Sequence, residues 1–161
     1  MADGSDLLLY LGRFTDALER GDASGFAAAF TPDAVYDDVF YGRFEGREAI
    51  RAMIAERWLG DGRDFRWEMR DPVFDGRTGY ANWWFSFTST KQAGRRALMV
   101  GASKVVVQGG LIRDYREWCY DGAALAGLGV PGDVQQRRFE AQDLKFRGRA
   151  DKARHLLDDG S

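Results

Sequence analysis

At 161 residues the chain is long enough for one domain with a sizeable core, and its 45% hydrophobic and 30% charged residues exclude a disordered polypeptide. A net charge of −2 and a pI near 5.5 exclude the basic surface of a nucleic-acid-binding domain. No apolar run approaches the ~20 residues of a membrane helix, and the acidic start before Leu7-Leu8-Leu9 lacks the basic region of a signal peptide. Cys119 is the one cysteine, so no intramolecular disulfide can form, as suits a reducing cytoplasm. His155 is the one histidine and lies among charged residues near the C-terminus, which argues against a His–Asp dyad or a histidine-built zinc site. A general base must then be sought among the carboxylates, with no metal and no cofactor expected.

Leu7, Tyr10, Leu11, Phe14 and Leu18 recur at helical spacing and predict a helix over Asp6 to Arg20, stopped by Gly21-Asp22. A short helix from Ala23 to Phe30 is broken by Thr31-Pro32, and Ala34 to Asp38 follows as a strand. Tyr41 to Gly46 is turn-rich. A third helix runs from Arg47 to about Leu59, with Ile50, Ile54 and Trp58 on one face. Strand-like segments then succeed one another: Phe65 to Phe74, Gly79 to Thr90, Ala97 to Gln108 and Leu111 to Tyr120, the last two joined by the hairpin signal Gly109-Gly110. Helices followed by an antiparallel meander predict an α+β fold with helices on one face of a curved sheet. The domain is placed at 1–130. Residues 131–161 form a charged extension, helical over Val134 to Asp158, that either packs on a partner subunit, covers a pocket mouth or stays solvated.

Four phrases carry a family resemblance: Arg13-Phe14 through Glu19-Arg20-Gly21-Asp22; Phe30-Thr31-Pro32-Asp33-Ala34-Val35-Tyr36-Asp37-Asp38; Phe44-Glu45-Gly46-Arg47-Glu48-Ala49-Ile50; and Gly110-Leu111-Ile112 through Arg116-Glu117-Trp118. In this order and spacing they resemble the nuclear transport factor 2-like superfamily, in its SnoaL-like and ketosteroid-isomerase-like branch, over Leu7 to Leu128. The resemblance implies a cone whose curved sheet wraps a long first helix, a pocket at the open end for a small apolar molecule, and a homodimer paired through the outer sheet faces.

The ketosteroid-isomerase pattern puts its general base at Asp38, just after the first strand, where desolvation makes a carboxylate a better base. The alternative is that Asp38 braces the turn into Gly42, as Asp commonly does. The pattern's two oxyanion donors fall on Phe14 and Ala102, neither of which can donate, which argues against a true steroid isomerase. Alignment with the family puts Asn82, Trp84, Ser86 and Thr88 on the pocket face of their strand, and Arg113, Tyr115, Glu117 and Cys119 on that of the last. Glu117 then becomes a second pocket carboxylate, with Arg113 and Tyr115 as its partners, unless a bulge swaps the faces. Phe14 and Tyr36 complete the lining. SnoaL-like cyclases use an Asp as acid–base in ring closure without a metal, and limonene-type epoxide hydrolases use an Asp–Arg–Asp relay with Tyr and Asn; the residue types are present, although the relay motif does not align strictly. The resemblance therefore implies proton-transfer chemistry — cyclisation, isomerisation, dehydration or epoxide opening — without a cofactor. The other readings are a non-catalytic ligand-binding or accessory domain, and a dimerising module whose pocket is filled by its own side chains.

Overall fold

The computed structural model describes residues 3–149 and His155. It separates into two compact units that meet between Leu128 and Gly129. The first is α+β, with the element order α1 (Gly4–Glu19), α2 (Ala23–Ala28), β1 (Phe30–Asp38), β2 (Gly42–Glu45), α3 (Arg47–Met53), a π-helical turn (Ile54–Trp58), α4 (Leu59–Asp61), β3 (Gly62–Phe74), β4 (Thr78–Ser89), β5 (Arg96–Gln108), β6 (Leu111–Cys119) and α5 (Asp121–Gly127).

A reciprocal capping box starts α1: the Asp3 carboxylate accepts from the Ser5 N–H, and Asp6 accepts from the Asp3 N–H. Leu7, Leu11, Phe14 and Leu18 lie on one face and are all buried. Gly21, at φ 73°, reverses the chain behind the helix.

The strands form one six-stranded sheet in the order β2-β1-β6-β5-β4-β3, in which only β1 and β6 run parallel. The sheet is open, since β2 and β3 are its unpaired edges. It curls around α1, and one inward face carries Tyr36, Trp67, Trp83, Phe85 and Tyr115 into a single core with Phe14 and Phe26. In β3 the ladder shifts between Arg63 and Arg66 and again between Arg70 and Val73, where Asp64 and Asp71 take positive φ.

Three local outcomes differ from the sequence reading. The first strand begins at Phe30, ahead of the expected Ala34, and runs through Thr31-Pro32, because Pro32 falls between Phe30 and Val35, where the β1–β6 register shifts and its missing N–H costs no regular ladder bond. The turn-rich stretch after Tyr41 contains β2, which pairs with Val35 to Asp38. The third helix widens into a π turn at Ile54–Trp58, burying both Ile54 and Trp58.

The second unit contains α6 (Gly132–Arg147), a helix with no buried residue. Ion pairs four residues apart, Asp133–Arg137 and Asp143–Arg147, lace its surface. The expected helix ran on to Asp158; apart from His155, its part beyond residue 149 lies outside the described residues.

Candidate active site

The inward face of the sheet gathers two carboxyl groups. Tyr36 and Tyr115 are register partners across the parallel β1–β6 seam, as are Asp37 and Arg116, so Asp38 and Glu117 come next on the adjoining strands. The Tyr36 hydroxyl donates to Glu117 Oε1 at 2.6 Å. Burial pushes the Glu117 carboxyl well above its ordinary range, and the neighbouring Asp38 charge pushes it further. The Tyr36 hydroxyl and the Val39 N–H pull it only partly back. Glu117 nevertheless keeps some accessible surface, whereas Asp38 is 5% exposed. The same burial, with the nearby Glu117 charge, holds the Tyr36 and Tyr115 phenols far above their usual value.

Asp38 also braces the chain. Its Oδ1 accepts the N–H groups of Phe40 and Tyr41, both at 2.7 Å, which fixes the turn between β1 and β2. That turn is anchored from outside: the Tyr41 hydroxyl donates to Asp61 Oδ2 and Lys91 Nζ donates to Asp61 Oδ1. One carboxylate thus ties the β1–β2 turn, the end of α4 and the β4–β5 turn together.

The rest of the interior is aromatic. Trp67 stands edge-on to Phe14, Phe85 and Trp83, with ring centroids 5.2, 5.0 and 6.2 Å away. Gly101 lets Trp83 lie against β5; a Cβ there would sit 2.4 Å from Trp83 Cζ2 and 2.3 Å from the Trp118 carbonyl oxygen. The indole nitrogens of Trp58, Trp67 and Trp83 are buried without a hydrogen-bond partner among the described residues. A buried donor left unpaired typically costs ~1–3 kcal/mol, so three in one interior is unusual. The buried Ser103 hydroxyl lies beside the Tyr115 hydroxyl across β5 and β6 and acts on that phenol as a hydrogen-bonding neighbour. Among the described residues, no group of three or more His, Cys, Asp or Glu could hold a metal ion, and no helix is long and apolar enough to cross a membrane.

A SnoaL-like domain model matches residues 11–115, well over half of the chain. The chain belongs to the SnoaL-like family. No curated protein sequence matches it. Among solved structures, this SnoaL-like domain superposes on an LEH-like epoxide hydrolase of M. tuberculosis at TM-score 0.65 and 19% identity, covering 78% of this chain and 90% of that one. A protein of ketosteroid isomerase-like fold from Catenulispora acidiphila, solved with trimethylamine, matches at TM-score 0.70 and 17% identity over 77% of this chain and 95% of that one. The epoxide hydrolase/cyclase-like enzyme SalBIII, of pyran ring formation in the polyether salinomycin, matches at TM-score 0.62 and 17% identity, with coverages of 71% and 91%. At these identities the likeness is one of fold, and the fold is the cone that the sequence implied.

Against that fold, the expected site residues divide into two groups. Phe14, Tyr36, Asp38, Tyr115 and Glu117 all come together at the interior of the SnoaL-like domain. Asn82, Trp84 and Ser86 do not: the inward residues of β4 are Ala81, Trp83, Phe85 and Phe87, while Trp84 is 49% exposed on the outer face with Arg70 stacked over its ring. Asn82 instead donates to Asp71 there, and Ser86 accepts from Arg96. Arg113 is likewise outside. The β5–β6 register shifts between Val106 and Val107, opposite Asp114 and Ile112, which turns Arg113 outward to Asp33 and Asp114 while Tyr115 and Glu117 remain inside. It is therefore Tyr36, and not Arg113, that partners Glu117. The strand position assigned to Ala102 is also one residue off, because Ala102 pairs with outward Asn82 and Trp118, and Ser103 is the inward residue, with no exposure.

Trp58, Trp67, Trp83 and Ser103, which share the interior with Glu117, are not among the site residues expected from sequence. A signal for Trp83 was present. The set Ala81, Trp83, Phe85 and Phe87 is uniformly apolar, whereas Asn82, Trp84, Ser86 and Thr88 is mixed, and strand alternation alone selects the first set as the inward face.

Proposed function

We propose that this SnoaL-like domain is a cofactor-independent acid/base enzyme that moves protons on a small, largely apolar molecule at the interior face of its sheet. The observation that carries the reading is Glu117: a buried carboxyl whose proton is held well above the ordinary carboxylate range, hydrogen-bonded to Tyr36 and beside a second carboxylate at Asp38. Two carboxyl groups in different environments can divide the work, one donating a proton and the other accepting it. Glu117 is the proton donor, with Tyr36 orienting it, and Asp38 is the acceptor. Ring closure, isomerisation, dehydration and epoxide opening can each use such a pair. The names of the solved relatives, an LEH-like epoxide hydrolase and an epoxide hydrolase/cyclase-like enzyme, favour the last and the first of these.

The test uses simple probes: exchange of the α-protons of 2-tetralone in heavy water, followed by NMR, and hydrolysis of 1-methylcyclohexene oxide. Glu117→Gln and Asp38→Asn are each expected to lower at least one rate by about a hundredfold or more, the scale of general acid–base catalysis. Rates unchanged in both variants, with melting behaviour intact, would sink the enzymatic reading. One observation favours the alternative, a non-catalytic binding or accessory domain: Asp38 Oδ1 already serves two backbone N–H groups and so has a structural task. That alternative expects a ligand retained through purification and never turned over.

We further propose a cytoplasmic homodimer joined through the outer sheet face, where Trp84, Leu98 and Trp118 are exposed.

A further inference from the structure

A groove of about 660 Å³ lies on the outer face of the sheet, opposite the face that carries Glu117. One cross-strand row builds it: Arg70 pairs with Asn82, Asn82 with Ala102, and Ala102 with Trp118. Ala102 is the short residue of that row, so the surface dips between Asn82 and Trp118. Trp84, next on the outer face of β4, forms a further wall, with the Arg70 guanidinium 4.4 Å from its ring centroid. Strict alternation from Arg70 would send Asp71 to the inner face. The β3 ladder shifts there, Asp71 takes φ 48°, and its carboxylate instead accepts from the Asn82 amide at 3.2 Å. A register shift re-aims side chains in this way, and here it adds a third planar polar group beside Arg70 and Asn82.

The volume falls within the ~300–1,000 Å³ of small-molecule sites. Its lining is of two kinds. Trp84 and Trp118, each about half exposed, supply flat apolar surface. Arg70, Asp71 and Asn82 supply donors and acceptors in fixed planes. Among the lining residues Arg70 and Asp71 carry the ionised groups, and their charges cancel. A wholly apolar ligand would strip water from these three groups without replacing it, and an ion would be opposed by one of the charged pair. The complement is an uncharged molecule with a flat C–H face and a rim of hydroxyls. A pyranose with equatorial substituents has that shape: its axial hydrogens make the ring faces apolar, and its hydroxyls project from the ring edge.

We propose that this outer groove is a ligand site separate from the interior, and that it takes a neutral sugar of the all-equatorial pyranoside type, stacked on Trp118 and Trp84 and hydrogen-bonded by Arg70, Asp71 and Asn82. The site does not depend on the acid/base reading, whose residues lie on the other face of the sheet. It shares Trp84 and Trp118 with the pairing surface proposed above, so sugar and second copy compete for it.

The experiment titrates the full chain, labelled with ¹⁵N-tryptophan, with cellobiose, which is two β-linked glucoses, and with choline as a cationic control. Cellobiose is expected to move the indole N–H resonances of Trp84 and Trp118 saturably and to leave those of Trp58, Trp67 and Trp83 in place; choline is expected to move none. Trp118→Ala is expected to weaken cellobiose about tenfold, the scale of one aromatic contact, and Asn82→Ala several-fold. Each titration is repeated on Leu98→Lys, a substitution outside the groove lining that is directed at the pairing surface. Movement of the two outer indoles in both proteins supports the site, and movement in Leu98→Lys alone supports it with the second copy as competitor. No movement in either protein, movement by choline in place of cellobiose, movement confined to the interior indoles, or undiminished binding by Trp118→Ala would overturn the proposal. Pairing is read separately by light scattering and the interior chemistry by proton exchange, so failure of the sugar site leaves both of those readings standing.

Discussion

The proposed chemistry rests on one side chain, Glu117. Its partner Tyr36 lies 81 residues away in sequence, so no local motif could pair them. The folded state favours the protonated acid, which fixes the sign of its pH dependence: its contribution to stability is full below the ordinary value of 4.5 and is lost as the pH rises through the elevated folded-state value. Unfolding by urea at a series of pH values is expected to show stability falling across that window, and Glu117→Gln, which cannot ionise, to flatten the fall. A variant with the same slope as the unaltered protein would mean that the carboxyl is not held protonated. At this scale the sequence was legible where residue type and strand parity agreed. Asp38 and Glu117 lie at the interior, where the family phrases put them. Arg113 was misplaced because a register shift between Val106 and Val107 leaves no mark in the residue pattern. Asn82, Trp84 and Ser86 were misplaced because the family alignment was followed against the plainer evidence of alternation.

The elements were mostly legible because their boundaries are chemical. Gly21 and Gly109-Gly110 mark where a helix ends and where a hairpin turns, whereas the cap at Asp3 starts α1 at Gly4, ahead of the expected Asp6. The π turn at Ile54–Trp58 was not legible, since an extra residue in a helical turn preserves apolar spacing closely enough to pass for an ordinary helix. Its effect is to bury Trp58 against Trp67. At this scale Asp61 is a shared anchor, holding the β1–β2 turn and the β4–β5 turn to the end of α4. Burial would raise its pKa, but hydrogen bonds from Lys91 and Tyr41 overcome this and hold the carboxylate below its ordinary value of 3.8. Its contribution is therefore present above 3.8 and is lost as the pH falls through the lowered folded-state value. Asp61→Ala removes both bonds and is expected to cost about 1–3 kcal/mol in urea unfolding. Because the β1–β2 turn carries Asp38, the same variant is expected to lower any proton-exchange rate while leaving Glu117 in place. An unchanged rate would mean that the Asp38 turn holds without its outer anchor.

At the scale of the whole molecule, the family phrases and the alternation of helices and strands were enough to give the α+β fold, and the outer face of the sheet is where the chain looks outward. Trp84, Leu98, Val100 and Trp118 are exposed there together, more apolar surface than scattered residues explain. Light scattering after size exclusion is expected to give twice the 18.1 kDa of one chain, and Leu98→Lys to return it to the single-chain mass; a single-chain mass for the unaltered protein would refute the pairing. The parallel seam between β1 and β6 has a consequence for how the molecule comes into being. β3, β4, β5 and β6 can assemble as successive hairpins, each with short loops, whereas β1 has only the four-residue β2 as a neighbour until β6 exists. Joining β1 to β6 closes a long loop, the kind of event that sets the pace of folding. Tyr36 and Glu117 meet across that seam, so the proposed proton donor is oriented only once β1 and β6 have joined and loses its partner when the seam parts.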